Sequence, residues 1–147
     1  MSQWRRGYYG IALIAPKKEC NVGGVLRSAY NFGASFVLLK DASYKRQASD
    51  VNHVSLHLPV YEQVHNIFQN IPANCVPVAI EVVKNAVSLE YFQHPEQACY
   101  IFGPENGSLN ADTLNKCQHI VQLPTRFCLN LASCVSIVCY DRIAKTG

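Results

Sequence analysis

The sequence predicts an α/β fold in which a mostly parallel sheet is flanked by helices. Short apolar and β-branched runs alternate along the chain with longer segments of helical periodicity, and this alternation is typical of strands joined by helical crossovers. The chain has 147 residues and contains no repeat, linker or low-complexity stretch. Because this is the usual length of one domain, we expect a single domain over residues 1–147.

Five short runs are predicted to form strands, because each is apolar and rich in β-branched or aromatic residues. In chain order they are YYGIALIA (8–15), SFVLLK (35–40), CVPVAIEVV (75–83), CYIFG (99–103) and HIVQL (119–123). The segment 41–60 shows no sustained period. We predict that it is an irregular connection with a short strand.

Four helices are predicted, over 22–32, 60–70, 110–117 and 131–144. Asn21, Asn110 and Asn130 precede three of them and have the side chain that suits an N-cap. The first helix has an apolar stripe at helical spacing, formed by Val22, Val25, Leu26 and Ala29.

The last helix is apolar on nearly all sides, and only Ser133, Ser136 and Tyr140 make a narrow polar stripe. Such a helix must be covered on two sides. The sheet can cover one side, and a second copy of the chain can cover the other to form an isologous dimer. A central helix within one subunit is the alternative. The low share of charged residues, 16%, favours the dimer.

Composition restricts the environment and the partners. The net charge is +3 and the basic residues occur in small groups, which is compatible with a polyanionic partner but does not require one. Seven cysteines without a C-x-x-C pair favour free thiols in a reducing cytosol. No apolar stretch is long enough for a membrane span, and the N-terminus does not resemble a signal peptide. We therefore expect a cytoplasmic protein.

Ligands of open α/β sheets bind beyond the carboxyl ends of the strands, so the loops at those ends are the candidates for a site. After the first strand, Gly23, Arg27 and Asn31 recur at helical spacing opposite the apolar stripe. Glycine costs about 1 kcal/mol in a helix, so the pair Gly23 and Gly24 indicates that a ligand approaches the backbone. A guanidinium one turn further suits a phosphate or a negatively charged transition state. A capped helix with Arg27 in solvent explains the spacing equally well.

Two later loops are also unusual. The run FGPENGSLN (102–110) combines Gly103, Gly107 and Glu105 in one turn. A plain strand-to-helix turn capped by Asn110 is the alternative, which explains Asn110 but not the special residues before it. The run LPTRFCLNLASC (123–134) brings a short loop to a helix N-terminus. Together these loops would offer backbone donors and acceptors that suit a neutral adenine ring.

Several kinds of site are disfavoured. The sequence has no G-x-G-x-x-G after a strand and no P-loop motif. It also lacks H-E-x-x-H, G-x-S-x-G and any paired cluster of metal ligands. We therefore expect no metal. A flavodoxin-type nucleotide module is disfavoured as well, because PKKECN, rather than a Ser/Thr-rich loop, follows the first strand.

The three loops, in this order, resemble the three motifs of the SpoU or TrmH-like group of SPOUT RNA methyltransferases. The first motif, N-x-G-x-x-x-R with a following F-G, is matched by Asn21, Gly23, Arg27, Phe32 and Gly33. The second, G-x-E after an apolar strand, is matched by Gly103 and Glu105. The third is matched by Leu123, Pro124, Cys128, Leu129 and Asn130. The likeness covers essentially the whole chain.

The resemblance implies a C-terminal deep trefoil knot, an exception to the rule that chains are unknotted. It implies S-adenosyl-L-methionine as cofactor and transfer of its methyl group to a ribose 2′-hydroxyl of tRNA or rRNA. The cofactor would be held by the strand ends and the 126–131 loop, at Glu81, Gly103, Leu123, Cys128 and Leu129. Family members act as dimers.

The resemblance also implies the roles of four side chains. Arg27 would be the catalytic arginine, which assists deprotonation or orients the 2′-oxygen and the adjacent phosphate. Asn21, Glu105 and Asn130 would shape the site. Ser108 and Cys128 depart from the family's usual glycine and serine. These departures favour an alternative, a knotted RNA-binding or assembly protein with weakened catalysis.

Overall fold

In a computed structural model of the protein, residues 7–17, 19–42, 54–105, 107–127 and 129–146 are described. The described elements are, in chain order, β1 (Tyr8–Ile14), α1 (Glu19–Asn31), β2 (Phe36–Lys40), β3 (Val60–Tyr61), α2 (Ile67–Asn70), β4 (Val76–Ile80), β5 (Val87–Ser88), β6 (Gln97–Phe102), α3 (Ala111–Lys116), β7 (His119–Gln122) and α4 (Leu131–Thr146). Two 3₁₀ turns, Val54–Leu56 and Leu89–Tyr91, complete them.

The described strands form one sheet in the order β3-β2-β1-β6-β4-β7-β5, and every pair is parallel. This confirms the predicted α/β class. Leu13 and Ile80 both pair with Phe102 at the carboxyl end of β6, and Ile80 also pairs with Val121. The loops that follow β1, β4, β6 and β7 therefore emerge side by side at one edge of the sheet.

Helices cover both faces of the sheet, and side chains along each strand point alternately to one face and the other. In β1, Ile11 and Leu13 belong to the core with α1 and α4, whereas Ala12 belongs to the core with α2. Gly24 of α1 allows close contact with α4, since a Cβ at Gly24 would lie 2.9 Å from the Cβ of Ala132. The expectation that a ligand explains both glycines is therefore wrong for Gly24, which serves helix packing.

The strand order has one topological consequence. β7 lies between β4 and β5, although the chain passes from β4 to β5 first. The connection over residues 81–86 therefore spans the position that β7 occupies later. Such an arrangement is what the trefoil knot of the resembled fold requires, and the threading itself stays an expectation from that fold.

The C-terminal half of α4 is anchored by a buried arginine. The side chain of Arg142 is fully buried, and its guanidinium donates hydrogen bonds to the carbonyl oxygens of Pro95, at 2.7 Å, and Glu96, at 2.6 Å. The same group lies 4.9 Å from the ring centroid of Tyr9 and donates to the Tyr100 hydroxyl at 2.9 Å. Buried cations require such partners, so Arg142 ties α4 to the start of β6.

The hydrogen bonds of this cluster accommodate a neutral His94. Because the Tyr100 hydroxyl accepts from Arg142, its own proton is available to the Nδ1 atom of His94, 2.7 Å away. The Nε2 atom then carries the proton and donates to Asp141 at 2.6 Å. Lys145 also donates to Asp141, at 2.9 Å. A neutral His94 satisfies every partner, and burial lowers its pKa accordingly.

Most predicted elements are confirmed within a few residues. Asn21 is not the N-cap predicted for the first helix, because α1 already begins at Glu19. The helix predicted over 60–70 is also wrong. Residues 60–61 form β3, and Gln63 has a left-handed backbone with φ of 57° that a continuous helix excludes. The side chain of Asn66 then accepts hydrogen bonds from the N–H groups of Phe68 and Gln69, so α2 begins only at Ile67.

The segment 41–60 contributes the expected short strand only at its end, and residues 43–53 lie outside the described part. The strand predicted over 75–83 ends at Ile80, and the short edge strand β5 was not predicted. None of the described helices combines the length and apolar character needed to cross a bilayer.

Candidate functional site

An open cleft lies at the carboxyl edge of the sheet, between the ends of β4, β6 and β7 and the start of α4. It encloses about 670 Å³ of empty space, including the part open to solvent. The described residues that line it are Ile80, Glu81, Val82, Phe102, Gly103, Pro104, Glu105, Gly107, Gln122, Leu123, Thr125, Leu129, Leu131 and Cys134.

Glu105 connects the turn after β6 to the loop after β1. Its carboxylate accepts hydrogen bonds from the backbone N–H of Lys17, at 2.9 and 3.3 Å to the two oxygens. The side-chain amide of Asn21 donates to the same carboxylate at 2.9 Å. Hydrogen bonds to a charged acceptor are stronger than neutral ones, so Glu105 holds two segments that are far apart in the sequence.

Asn130 adds the third loop. Its side-chain nitrogen donates to the side-chain oxygen Oδ1 of Asn21 at 2.8 Å, and its own side-chain oxygen accepts from the backbone N–H of Ala132 at 2.9 Å. Asn130 is thus the N-cap of α4, as predicted, and also a partner of Asn21. The three side chains predicted to shape the site, Asn21, Glu105 and Asn130, form one continuous hydrogen-bonded relay.

Glu81 and Gly103 both line the cleft, and both also stabilise its wall. One oxygen of Glu81 accepts a hydrogen bond of 2.8 Å from the backbone N–H of Leu109. A Cβ at Gly103 would lie 3.3 Å from three atoms of Leu109, so the absence of a side chain lets the turn close. Sequence reasoning missed the role of Glu81 in holding the 103–110 turn.

Leu123 and Leu129 line the cleft on the side of the 123–130 loop. Cys128, the third residue assigned to this loop, lies outside the described residues. Sequence reasoning also missed Thr125 and Cys134, which line the cleft as well. Cys134 is one helical turn after Asn130, so the i, i+4 spacing from the N-cap is the signal that would have found it.

Arg27 is not among the described residues that line the cleft. Its side chain is exposed on α1, and its position six residues after Asn21 corresponds to about 9 Å along the helix axis. Tyr30, also exposed, follows on the same side of the helix. The structure therefore joins Asn21, Glu105 and Asn130 through hydrogen bonds, whereas Arg27 is not among the described residues that line the cleft.

The charge of the cleft favours a cationic or neutral ligand over an anion. Two of the described lining residues, Glu81 and Glu105, are acidic and none is basic. The rest of the described lining is mostly apolar, with Gln122 and Thr125 as uncharged polar side chains. Among the described residues, no group of three or more His, Cys, Asp or Glu side chains is arranged to hold a metal ion.

The chain matches the model of the SpoU rRNA Methylase family over residues 9–140. It has no significant match among curated proteins.

Solved structures share the fold. The SpoU methyltransferase AviRb from Streptomyces viridochromogenes has a TM-score of 0.78 and 17% identity, over 95% of this chain and 60% of that chain. AviRb is also known in complex with AdoMet. The A. aeolicus TrmH/SpoU tRNA modifying enzyme has a TM-score of 0.80 and 14% identity, over 97% and 80%.

A third similar structure comes from work on the 2-OH methylation of C/U34 on tRNA, and it has a TM-score of 0.79 and 18% identity over 95% and 91% of the two chains. At these identities the likeness shows the fold. The chain spans only about 60% of the length of AviRb.

Proposed function

The chain belongs to the SpoU rRNA methylase family, and we propose that it is an S-adenosyl-L-methionine-dependent methyltransferase that acts on a ribose 2′-hydroxyl of tRNA or rRNA. One observation carries the proposal. Side chains from three motifs, Asn21, Glu105 and Asn130, form a relay beside a cleft at the carboxyl edge of the sheet. In open α/β sheets, this edge is where ligands bind.

The lining of the cleft fits the proposed cofactor. Glu81, Gly103, Leu123 and Leu129 would hold it, together with Cys128 from the same loop. Two carboxylates suit a ligand that carries a sulfonium charge, and backbone groups at strand ends suit an adenine ring. When bound, the cofactor supplies a methyl group that its sulfonium already activates.

The protein then has to align the attacking oxygen and manage one proton. Alignment alone can supply several kcal/mol of a barrier, roughly up to ten. We propose that Arg27 orients the ribose 2′-oxygen and the adjacent phosphate, since its guanidinium is always charged and presents a fixed fork of donors. The relay of Asn21, Glu105 and Asn130 would keep α1 in place relative to the cleft.

A dimer through α4 would place Arg27 at a subunit boundary. Tyr30 of α1 and Ile137 and Tyr140 of α4 are partly exposed apolar side chains, and the ring of Tyr140 lies 6.4 Å from that of Phe32. The exposed faces of α1 and α4 are therefore adjacent. A second copy seated on them would come close to Arg27, one turn before Tyr30.

A cytoplasmic location is part of the proposal and agrees with the chemistry of the cysteines. Burial raises the pKa of the Cys99 thiol and raises that of Cys139 to about 12. These two thiols therefore stay protonated and unreactive at neutral pH. The small positive net charge, +3, suits an RNA partner without excluding others.

The deciding experiment compares 2′-O-methyl sites in total RNA from cells with and without the gene. We expect one or a few sites to disappear with the gene and to return with the intact protein. Isothermal titration of the purified protein with S-adenosyl-L-methionine accompanies it. A folded protein that binds RNA but not the cofactor would contradict the enzyme and leave the non-catalytic RNA-binding protein, to which the departures at Ser108 and Cys128 point.

A further inference from the structure

Phe127 is the most exposed of the large apolar side chains in the described part of the chain, with 84% of its surface accessible. It belongs to the loop between β7 and α4. A phenyl ring left in solvent lacks the stabilisation of about 2 kcal/mol that its burial would give. The neighbouring Arg126 is also exposed, so this loop presents an aromatic ring and a guanidinium together.

The loop around Phe127 is fixed at both ends. Leu123 and Leu131 are buried, and Asn130 is held by its bonds to Asn21 and to the start of α4. The hydroxyl of Thr125 donates a hydrogen bond of 2.9 Å to the carbonyl oxygen of Phe127. The ring is therefore presented outward by an anchored backbone, and such preorganisation reduces the entropy lost on binding.

The position of Phe127 relates it to the cofactor cleft. Thr125 and Leu129, two residues away on either side, both line the cleft, whereas Phe127 does not. Two residues of chain span at most about 7 Å, so Phe127 lies at the rim of the cleft. A polynucleotide whose ribose reaches into the cleft would have its neighbouring bases at this rim.

We propose that Phe127 is a positioning residue that stacks on a base of the RNA substrate next to the nucleotide being methylated, with Arg126 beside it to contact phosphate. This inference rests on the proposed function. Sequence-specific RNA-binding sites use exposed aromatic rings in this way, because unpaired bases stack on them, and arginine adds charge contacts.

The test uses the full chain with RNA purified from cells that lack the gene, and tritiated S-adenosyl-L-methionine. We expect Phe127→Ala to raise the KM for RNA about tenfold, since stacking one base has an effect of this order, and to leave the KM for the cofactor unchanged. Phe127→Tyr keeps a ring and should restore the KM. Tyr91→Ala is the matched control, because Tyr91 is 78% exposed and does not line the cleft.

Three outcomes would overturn the inference. A higher KM for the cofactor alone would mean that the ring covers the cofactor, and loss of the dimer in sedimentation would mean that a second copy covers the ring. An unchanged KM for RNA would also refute it.

A second measurement separates this inference from the proposed function. In the double variant Phe127→Trp/Trp4→Phe, the only tryptophan lies at position 127. Stacking of an RNA base on it is measured as quenching of its fluorescence. If no RNA is methylated but the quenching occurs, the proposed function fails and the stacking stands. If RNA is methylated without quenching, the stacking fails and the proposed function stands.

Discussion

The amide of Asn21 donates a hydrogen bond of 2.9 Å to the carboxylate of Glu105, and 84 residues separate the two in the chain. Asn21 is almost fully buried, and its side-chain oxygen Oδ1 accepts a hydrogen bond from the side-chain amide of Asn130. Both the nitrogen and the oxygen of the Asn21 side-chain amide therefore join loops of the cleft. This one amide therefore connects three loops at the carboxyl edge of the sheet.

We expect Asn21→Ala to weaken cofactor binding at least tenfold and to lower the free energy of unfolding by about 2 kcal/mol, because it leaves partners of a buried amide unsatisfied. Calorimetry and urea unfolding measure the two effects. Asn66→Ala is the matched control, since Asn66 caps α2 away from the cleft. It should cost about 1 kcal/mol of stability without changing cofactor affinity. Equal affinities in the two variants would contradict the role of the relay.

Arg27→Ala should lower methyl transfer at least a hundredfold, since losing one group that stabilises developing charge has about this effect. Cofactor affinity should remain, because Arg27 does not line the cleft. Lys116→Ala removes an exposed cation from α3 and serves as control. Unchanged turnover in Arg27→Ala would refute the catalytic assignment.

The protein should sediment as a dimer, and Ile137→Asp should make it a monomer at micromolar concentration, because a carboxylate placed in an apolar interface is costly to desolvate. Tyr91→Asp changes an exposed apolar residue elsewhere and should leave the dimer intact. A wild-type monomer would mean that this interface does not form. A dimer that survives Ile137→Asp would mean that the interface lies elsewhere.

Stability should fall as the pH is lowered through about 6.5, the ordinary histidine pKa. Burial lowers the pKa of His94 in the folded protein, so in this range the unfolded chain takes up a proton that the native state does not, and the free energy of unfolding decreases. The contribution levels off once the pH is below the folded-state pKa. Urea unfolding between pH 5 and 8 measures the slope. His94→Gln should flatten it, and His65→Gln, at an exposed site, should not.

Gly24→Ala should lower the free energy of unfolding by about 1–2 kcal/mol despite the better helix propensity of alanine, because overpacking between rigid helices costs more. The added methyl would lie 2.9 Å from Ala132. The double variant Gly24→Ala/Ala132→Gly moves the methyl across the contact and should recover part of the loss. A double variant less stable than the sum of the single changes would show that the contact is not the cause.

Local sequence patterns were sufficient to predict the alternation of strands and helices, the caps at Asn110 and Asn130, and the order of the three motifs. Each of these depends on neighbours within a helical turn or a short strand. The prediction of a helix over 60–70 was wrong because the sequence pattern does not reveal the left-handed backbone at Gln63. The two-residue strand β5 is too short to leave any periodic signal.

Contacts between distant segments were decided only by the tertiary structure. The sheet order that inserts β7 between β4 and β5, the bond from Leu109 to Glu81 and the packing of Gly24 on Ala132 each join residues far apart in the chain. Side-chain type shows that Asn21 and Glu105 can form hydrogen bonds, but not with which partner. That choice depends on which loops the parallel register brings to the same edge, and register is a property of the whole packed sheet.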